Sequence, residues 1–340
     1  MKTALLHYWL TNIRGGEKVL AALADMLPDA DIFTHAFGLG EGAMEWRGHP
    51  VSETFIARLP FGRRKPQAYL PLMPMASRRL DLSRYDTIVS SESGPIKGVR
   101  KPKGARHICY CHTPMRYLWD MHDEYWRTAG VCGRLGMEIF TGYLRREDLK
   151  SAEAVDDFVA NSAFVAERIK RIYGRDSKVV HPPVDVEFYS SVKRREGEYY
   201  LFVGAPVEYK RLDLAREACR RMDRQLVVAG GGSFTDDELR TLYAGARALL
   251  FPGIEDFGIV PVEAQAAGAP VIAFGAGGAL ETIVDGETGL FFREASANAL
   301  CGAIEEFEGR QWSVDACRAN SLKFSAERFR AEMAGILARK

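Results

Sequence analysis

The stretch GIEDFGIVPVEAQAAGAPVIAFGAGG, residues 253 to 278, holds a loop, a helix and a glycine-rich turn between predicted strands. The apolar run ALLFPG (248–253) predicts one buried strand, and PVIAFG (270–275) predicts the next. Pro261 suits the first turn of a helix, and Gly268 followed by Pro270 predicts where that helix ends. The stretch therefore predicts a strand–helix–strand unit of a parallel α/β sheet.

Two glutamates lie eight positions apart in this stretch. The prediction places Glu255 in the loop and Glu263 in the first helical turn. Between them, Phe257, Gly258 and Ile259 offer backbone N–H groups at the positive end of the helix. A carboxylate accepts hydrogen bonds from both hydroxyls of a sugar diol, and amides at a helix start bind phosphate. These residues predict a polyhydroxylated, phosphorylated ligand.

Two other interpretations of the glutamates stay open at this point. Glycosidases also pair two carboxylates, one as acid and one as nucleophile or base, and sequence spacing does not exclude that. The alternating α/β setting and the helix start favour the phosphorylated ligand over it. Alternatively, Glu263 serves only to complement the helix dipole.

The α/β pattern extends along the whole chain, because short β-branched runs alternate with helical stretches. In the first half the runs are TALLHYW, DIFTHAF, TIVSSES, HICYCHT and DFVANS; in the second they are KVVHPP, YYLFVGA, QLVVAGGG, ALLFPG and PVIAFG. HPPVD (181–185) is a proline-stiffened link before a charged stretch. We predict two Rossmann-like domains facing across a cleft, 1–185 and 186–322, and a terminal helix over 323–340.

Composition indicates a soluble globular enzyme. The 340 residues are 47% hydrophobic and 27% charged, with a net charge of +1. No apolar run reaches the roughly 18 residues of a membrane span, and MKTALLHYWLTN is too short and polar for a signal peptide. Six scattered cysteines indicate reduced thiols in a cytosol, and Cys109-Tyr-Cys111 lacks zinc-ligand spacing. We therefore expect a cytoplasmic protein without a metal site.

Positive charge is concentrated between residues 56 and 106. That segment has twelve Lys or Arg against three Asp or Glu, a net +9 that leaves −8 for the rest. Large apolar residues are mixed with the basic ones, which favours an anionic membrane surface at roughly 1 kcal/mol per basic residue. A solvated arginine-rich loop is the alternative. No recognition motif supports nucleic acid as the partner.

The spacing Glu255-(seven residues)-Glu263, with Phe257-Gly258 inside, resembles the E-x7-E signature of glycosyltransferase family 4, the retaining GT-B glycosyltransferases. The similarity covers nearly the whole chain, including HYWLTNIRGGEKVL, CYCHTPMRYLWDMHDEY, NSAFVAERIKRIYG, HPPVD, YKRLDLAREA and GGALETIVDGETGLFF. HTPMRYLWD together with EDFGIVPVEAQAAG resembles the family's mannosyltransferase-like branch, which builds bacterial surface polysaccharides. The resemblance implies a GT-B fold in which 323–340 crosses back to the N-terminal domain.

In the N-terminal half, the resemblance implies roles for a glycine pair and a histidine. Gly15 and Gly16 open the first helix near the donor pyrophosphate, where glycine lets amides approach a phosphate closely. His112 follows the strand HICYC and, in the family, contacts the donor sugar near the reacting carbon. We also expect Arg116 to meet an acceptor phosphate.

In the C-terminal half, the resemblance implies a donor site without metal. Lys210 and Arg211 would neutralise the departing nucleoside diphosphate, since fixed cations stabilise charge that grows in the transition state. Glu263 would accept hydrogen bonds from the ribose hydroxyls. Glu255 would bind a hydroxyl of the transferred sugar, beside the amides of residues 257–259.

The sequence departs from the family pattern at two points. Arginine is usual five positions before the lysine, and this chain has Ala205. The family also places a helix and a strand after the glycine turn, whereas only Ser233, Phe234 and Thr235 separate Gly232 from Asp236. The first departure predicts either that Arg211 or another cation substitutes for the missing arginine or that donor binding is weakened. The second predicts a C-terminal sheet one strand short or an omitted segment.

The resulting prediction is a metal-independent, retaining glycosyltransferase that needs no cofactor beyond its nucleotide-sugar donor. It would transfer a hexose, mannose from GDP-mannose, to a lipid-linked or polysaccharide acceptor with an α-linkage. Nucleotide-sugar epimerases of the same fold are one alternative. A catalytically silent nucleotide-sugar-binding protein is another, because of Ala205.

Overall fold

The computed structural model describes residues 2–39, 43–230 and 234–339. The chain divides into two compact units. Unit 1 is Met1–Val180 together with Glu332–Lys340, and unit 2 is His181–Ala331. The division falls at the start of the HPPVD segment.

The sheet of unit 1 is largely parallel. Its strands are β1 (Thr3–His7), β2 (Asp31–Thr34), β3 (Glu45–Trp46), β4 (His49–Glu53), β5 (Thr87–Glu92), β6 (Arg106–Cys111), β7 (Asp157–Ala160) and β8 (Ser177–Val179). Their order is β3-β4-β2-β1-β5-β6-β7-β8, and only β3 and β4 pair antiparallel. Every residue of β1 and β5 is buried, which is typical of central parallel strands covered on both faces.

Helices of unit 1 follow the strands in alternation. They are α1 (Gly15–Met26), α2 (Met73–Ser77), α3 (His122–Thr128), α4 (Val131–Glu153) and α5 (Ala163–Tyr173), with 3₁₀ helices at Phe55–Arg58, Pro66–Leu72 and Pro95–Lys97. Local sequence explains the bounds of α5. The Ser162 hydroxyl accepts a hydrogen bond from the Val165 amide, and Gly174 ends the helix with φ 66°.

Unit 2 has a second, fully parallel sheet. Its strands are β9 (Tyr200–Val203), β10 (Leu226–Ala229), β11 (Ala248–Phe251), β12 (Val271–Phe274) and β13 (Gly289–Phe292), in the order β10-β9-β11-β12-β13. Its helices are α6 (Val186–Ser190), α7 (Leu212–Arg221), α8 (Asp236–Gly245), α9 (Ile259–Ala266), α10 (Ala279–Thr282), α11 (Ala297–Glu308) and α12 (Val314–Ser321), with 3₁₀ helices at Glu208–Lys210 and Leu322–Phe324. Helix α13 (Ala326–Leu337) begins in unit 2 and ends in the residues of unit 1.

The core of unit 2 lies on both faces of its sheet. Successive strand residues alternate between two hydrophobic clusters, so that Leu201 joins one while Tyr200 and Phe202 join the other. This is the two-residue period of a strand. The α/β class predicted from the sequence is therefore confirmed.

Some strands were missed. KVVHPP, named among the runs of the second half although the predicted 1–185 domain includes it, contains part of β8, which pairs with β7 in unit 1. Strand β4 was missed because Pro50 and alternating polar residues mask a short run at the margin of the sheet. Strand β13 was missed because it is only four residues long and directly follows a turn. The predicted deletion after Gly232 lies partly outside the described residues.

Buried histidines predict acid sensitivity. Burial lowers the pKa of His35, of His107 and of His112 to about 3. The unfolded chain, with histidine near 6.5, binds more protons below that pH, so stability should fall as pH drops from about 6.5 toward 3. We expect a loss of about 1–2 kcal/mol per histidine between pH 7 and 5 in urea unfolding. A flat wild-type profile would contradict the prediction.

Candidate functional site

Strand order places the candidate site of unit 2 at one edge of its sheet. The chain runs from β9 outward to β10, then returns to the other side of β9 with β11. The order therefore reverses between β9 and β11, and ligands of open α/β sheets bind beyond the carboxyl ends of strands at such a switch point. Two loops start there, at Gly204 after β9 and at Pro252 after β11.

Glycines bring the loops at this edge close together. A Cβ built on Gly204 would lie 2.8 Å from the Lys210 ammonium, and one on Gly253 would lie 2.7 Å from the Lys210 Cα. A Cβ on Gly278 would lie 2.3 Å from the Phe257 Cα. A larger residue would displace the Lys210 side chain at Gly204 and the neighbouring backbone at Gly253 and Gly278, so these glycines leave room for the loop packing.

Lys210 and Glu255 face each other across the switch point. The Lys210 ammonium lies 2.8 Å from a Glu255 carboxylate oxygen, and the side chains are 15% and 19% exposed. The backbone of Glu255 is also fixed, since its carbonyl accepts a hydrogen bond from the Gly278 amide. A half-buried cation beside a half-buried carboxylate suits a ligand that carries both phosphate and hydroxyl groups.

Arg211 is held differently from its neighbour. Its guanidinium pairs with Asp213 at 3.1 Å, and its backbone is left-handed with φ 53° at the start of α7. Lys210 and Arg211 thus have different carboxylate partners. Ala205 lies half-buried in the loop after β9, where the family pattern has an arginine.

Glu263 lies one turn further into its helix than the sequence suggested. The prediction that it belongs to the first helical turn is wrong, because α9 begins at Ile259 and Glu263 is its fifth residue. Gly258, with φ 90°, lets the helix start ahead of Pro261. Glu263 is buried, and its carboxylate accepts a hydrogen bond of 2.8 Å from the Tyr243 hydroxyl.

The loop before α9 is anchored in the core of unit 2. The Phe257 side chain is buried. Its ring centroid lies 5.4 Å from that of His181 and 5.5 Å from that of Phe324. The amides of Gly258 and Ile259 precede the first intrahelical hydrogen bonds, as at every helix start. The aromatic packing therefore fixes the position of these amides, and His181 is a contributor that the sequence reading missed.

Unit 1 has a corresponding switch point between β1 and β5. The loop after β1 leads into α1 at Gly15, and His112 follows β6. A Cβ on Gly16 would lie 3.5 Å from the His112 Nε2 and 3.6 Å from the Tyr8 hydroxyl. The structure thus brings the predicted Gly15-Gly16 pair and His112 together within one unit, with Tyr8 beside them.

His112 is a neutral imidazole at ordinary pH. Burial, with His7 nearby, lowers its pKa to about 3. Its Nε2 lies 2.9 Å from the Ser91 hydroxyl. Glu17 and His7 are neighbours of His112. The Glu17 carboxylate accepts a hydrogen bond from the Arg14 amide and lies 3.5 Å from the His7 ring nitrogen. His112 is therefore suited to hydrogen bonding, not to supplying positive charge.

A buried ionic cluster supports the loop after β5. The Lys97 ammonium lies 2.6 Å from Asp148 and 3.1 Å from Glu92, and all three side chains are at most 1% exposed. Glu92 also accepts a hydrogen bond from the Gly94 amide, and Gly94 packs against Tyr8. The cluster is missing from the sequence interpretation, which counted Lys97 among surface cations; only tertiary contacts reveal it.

The predicted +9 segment is less charged at the surface than its sequence suggests. Six of its twelve cations pair with acids outside the segment, namely Arg63 with Glu53, Arg78 with Glu147, Arg84 with Asp31, Lys97 with Asp148, Lys101 with Asp156 and Arg106 with Asp157. Among the described residues, no ion pair involves the remaining six, which are Arg58, Arg64, Lys65, Arg79, Arg100 and Lys103. No helix in the described ranges is long and apolar enough to cross a bilayer.

The remaining predicted residues lie close to β6. Arg116 is half-buried in the turn between β6 and α3, where its carbonyl accepts hydrogen bonds from the Trp119 and Met121 amides. Cys109 and Cys111 are buried thiols within β6. In the part of the chain that the structure describes, no group of three or more metal-ligating side chains occurs.

Comparison with known proteins covers most of the chain. Residues 13–188 match the family described as Glycosyltransferase Family 4, and residues 231–323 match the one described as Glycosyl transferases group 1. Together the two matches include most of the predicted site residues and leave out 189–230, which contains Lys210 and Arg211.

Curated relatives include proteins named D-inositol 3-phosphate glycosyltransferase. The one from Geodermatophilus obscurus is 30% identical over an alignment of 337 positions, covering 73% of this chain and 74% of the relative. The one from Nocardiopsis dassonvillei is 31% identical over 201 positions, covering 44% of this chain and 47% of the relative. Against the latter, the chain spans about half of the relative's length.

Solved structures share the architecture. The structure of HepE from Anabaena, in complex with UDP and glucose, superposes with a TM-score of 0.69 and covers 99% of both chains. Its sequence is 17% identical to this one, so the likeness shows a common fold.

Proposed function

Because the chain belongs to glycosyltransferase family 4 and has the GT-B fold, we propose that it transfers a hexose from a nucleoside diphosphate sugar to an acceptor hydroxyl. The observation that carries this proposal is the Lys210–Glu255 pair at the switch point of unit 2, where glycine-lined loops surround it. A cation for the diphosphate and a carboxylate for the sugar hydroxyls are the two groups that such a donor requires.

The proposed reaction retains configuration and uses no metal. The bond between the anomeric carbon and the diphosphate breaks, and its electron pair stays on the diphosphate oxygen. The acceptor hydroxyl forms the new bond on the same face and gives its proton to that leaving oxygen. Lys210, and Arg211 less directly, would stabilise the charge that develops there.

The other predicted residues take binding roles in this proposal. Glu255 would bind a hydroxyl of the sugar, with the amides of residues 257–259 beside it. Gly15 and Gly16 would leave room for a phosphate, and neutral His112 would hydrogen-bond the sugar. Arg116 would meet an acceptor phosphate.

We propose mannose, from GDP-mannose, as the transferred sugar, because the motifs HTPMRYLWD and EDFGIVPVEAQAAG resemble the mannosyltransferase-like branch of the family. The acceptor would be a lipid-linked or polysaccharide precursor at an anionic membrane surface, approached through residues 56–106. The solved neighbour was crystallised with UDP and glucose, so UDP-glucose is the first competitor to test.

Turnover separates this proposal from its rivals. Purified protein is incubated with each nucleotide sugar, and the products are resolved by mass spectrometry and chromatography. Slow release of free sugar, or transfer to an added acceptor, supports the transferase. An epimerised nucleotide sugar identifies an epimerase, and binding without any turnover identifies a silent binding protein, which Ala205 favours.

Glu263→Ala is expected to weaken nucleotide binding by about tenfold or more, since hydrogen bonds to a charged carboxylate typically stabilise by about 1.5–3 kcal/mol. Titration calorimetry with the nucleoside diphosphate measures this. Tyr243→Phe is the matched control, because it removes the hydroxyl that donates to Glu263 inside the protein and leaves the carboxylate in place. Equal nucleotide affinity in wild type and Glu263→Ala would contradict the proposal that Glu263 binds the ribose hydroxyls.

A further inference from the structure

One loop of unit 1 combines an exposed aromatic ring with exposed cations. We define the Phe61 loop as residues 58–65. Phe61 is 71% exposed, the most exposed aromatic side chain among the described residues, and its backbone is left-handed with φ 58°. A side chain at such a φ is strained, and glycine would fit there at lower cost. The chain nevertheless places a phenylalanine there.

The loop is rigidly supported from below. A Cβ on the neighbouring Gly62 would lie 2.0 Å from the Ile56 carbonyl oxygen, so this position must be glycine. The Gly62 amide donates to the Leu59 carbonyl at 2.8 Å, and the Tyr69 hydroxyl donates to the Pro60 carbonyl at 2.8 Å. The Phe61 ring is therefore held outward by an ordered turn.

Charge around the ring is positive. Arg63 is neutralised by Glu53, but Arg58, Arg64 and Lys65 are exposed and take part in no ion pair among the described residues. Exposed Leu72 and Met75 follow in the same segment. An apolar ring flanked by exposed cations complements a surface with anionic headgroups above an apolar layer.

We propose that the Phe61 loop docks unit 1 on an anionic lipid bilayer, with Phe61 entering the acyl boundary and Arg58, Arg64 and Lys65 contacting lipid phosphates. The inference deepens the proposed function, on which it rests for a membrane-bound acceptor. Within the 51-residue basic segment, the proposed membrane contact is limited to this one turn, because the described residues already pair six of the segment's twelve cations.

Co-sedimentation with phosphatidylcholine vesicles, with and without phosphatidylglycerol, tests the docking. Wild type should bind only the anionic vesicles and lose binding at high salt. Phe61→Gly should lower the partition coefficient about tenfold while the melting temperature stays equal or rises, since glycine relieves the strained backbone. Arg64→Ser with Lys65→Ser should lower it about thirtyfold, at roughly 1 kcal/mol per basic residue.

Ile139→Ser is the matched control, because Ile139 is 59% exposed on helix α4 of the same unit. Three results would overturn the docking site: wild-type affinity in Phe61→Gly, equal loss in Ile139→Ser, or equal binding to neutral vesicles. Nucleotide binding is measured on the same samples. Vesicle binding without nucleotide binding would contradict the proposed function alone. Nucleotide binding without vesicle binding would contradict the docking site alone.

Discussion

Lys210→Ala is expected to lower turnover by about 10²–10³-fold while the protein stays folded. Lys210 is the cation at the switch point of unit 2, and removing one fixed group that stabilises developing charge typically costs about 2.7–4 kcal/mol of barrier. The loss should appear in kcat, because charge on the leaving diphosphate grows only as the bond breaks. Initial rates of sugar transfer or donor hydrolysis give the value.

Two further variants make this result interpretable. Lys210→Arg keeps the positive charge and should recover part of the rate. Arg220→Ala removes an exposed cation that pairs with Glu217 on α7, and it should leave the rate within about threefold. Unchanged kcat in Lys210→Ala would contradict the leaving-group role; equal losses in Lys210→Ala and Arg220→Ala would indicate a general charge effect.

Lys97→Met is expected to destabilise the protein by about 3–5 kcal/mol, a large part of the roughly 5–15 kcal/mol that typically stabilises a domain. Burial opposes the charge on Lys97, yet Asp148 and Glu92 hold its pKa well above the usual value. Without the ammonium, two carboxylates stay buried beside each other. The free energy of unfolding in urea, measured by circular dichroism, checks this.

Controls for Lys97→Met use both an exposed pair and the whole cluster. Lys101→Met breaks a partly exposed ion pair with Asp156 and should cost about 1 kcal/mol or less. Adding Glu92→Gln and Asp148→Asn to Lys97→Met should restore part of the stability, because no buried charge is then uncompensated. A small loss in the single variant would show that water or local movement solvates the carboxylates.

Local patterns in the sequence predicted the parts of the fold that depend on local structure. Alternating apolar runs predicted the α/β class, and the resemblance to the family placed Gly15 correctly at the start of a helix. The terminal helix predicted over 323–340 is observed as α13, and its Phe329 and Met333 are fully buried. Each of these features depends on residues that are neighbours in the chain.

Features that depend on distant residues were not predictable. Asp148 meets Lys97 across 51 positions, and Glu263 meets Tyr243 across 20. The number of cations that the 56–106 segment offers at the surface was overestimated for the same reason, since six of them pair with acids outside the segment among the described residues. The turn of Glu263 was misplaced because the left-handed Gly258 allowed α9 to begin two residues before Pro261.

The central claim is that the carboxyl edge of the unit 2 sheet binds a nucleoside diphosphate sugar. A thermal-shift panel of GDP-mannose, UDP-glucose, UDP-galactose and ADP-glucose tests it most directly, because a ligand at 100 times its Kd adds about 2.7 kcal/mol of stability. At least one of these donors should raise the melting temperature of the wild type by several degrees, and Glu263→Ala should lower that shift by about half or more. No shift with any donor, in a protein that melts cooperatively, would contradict it.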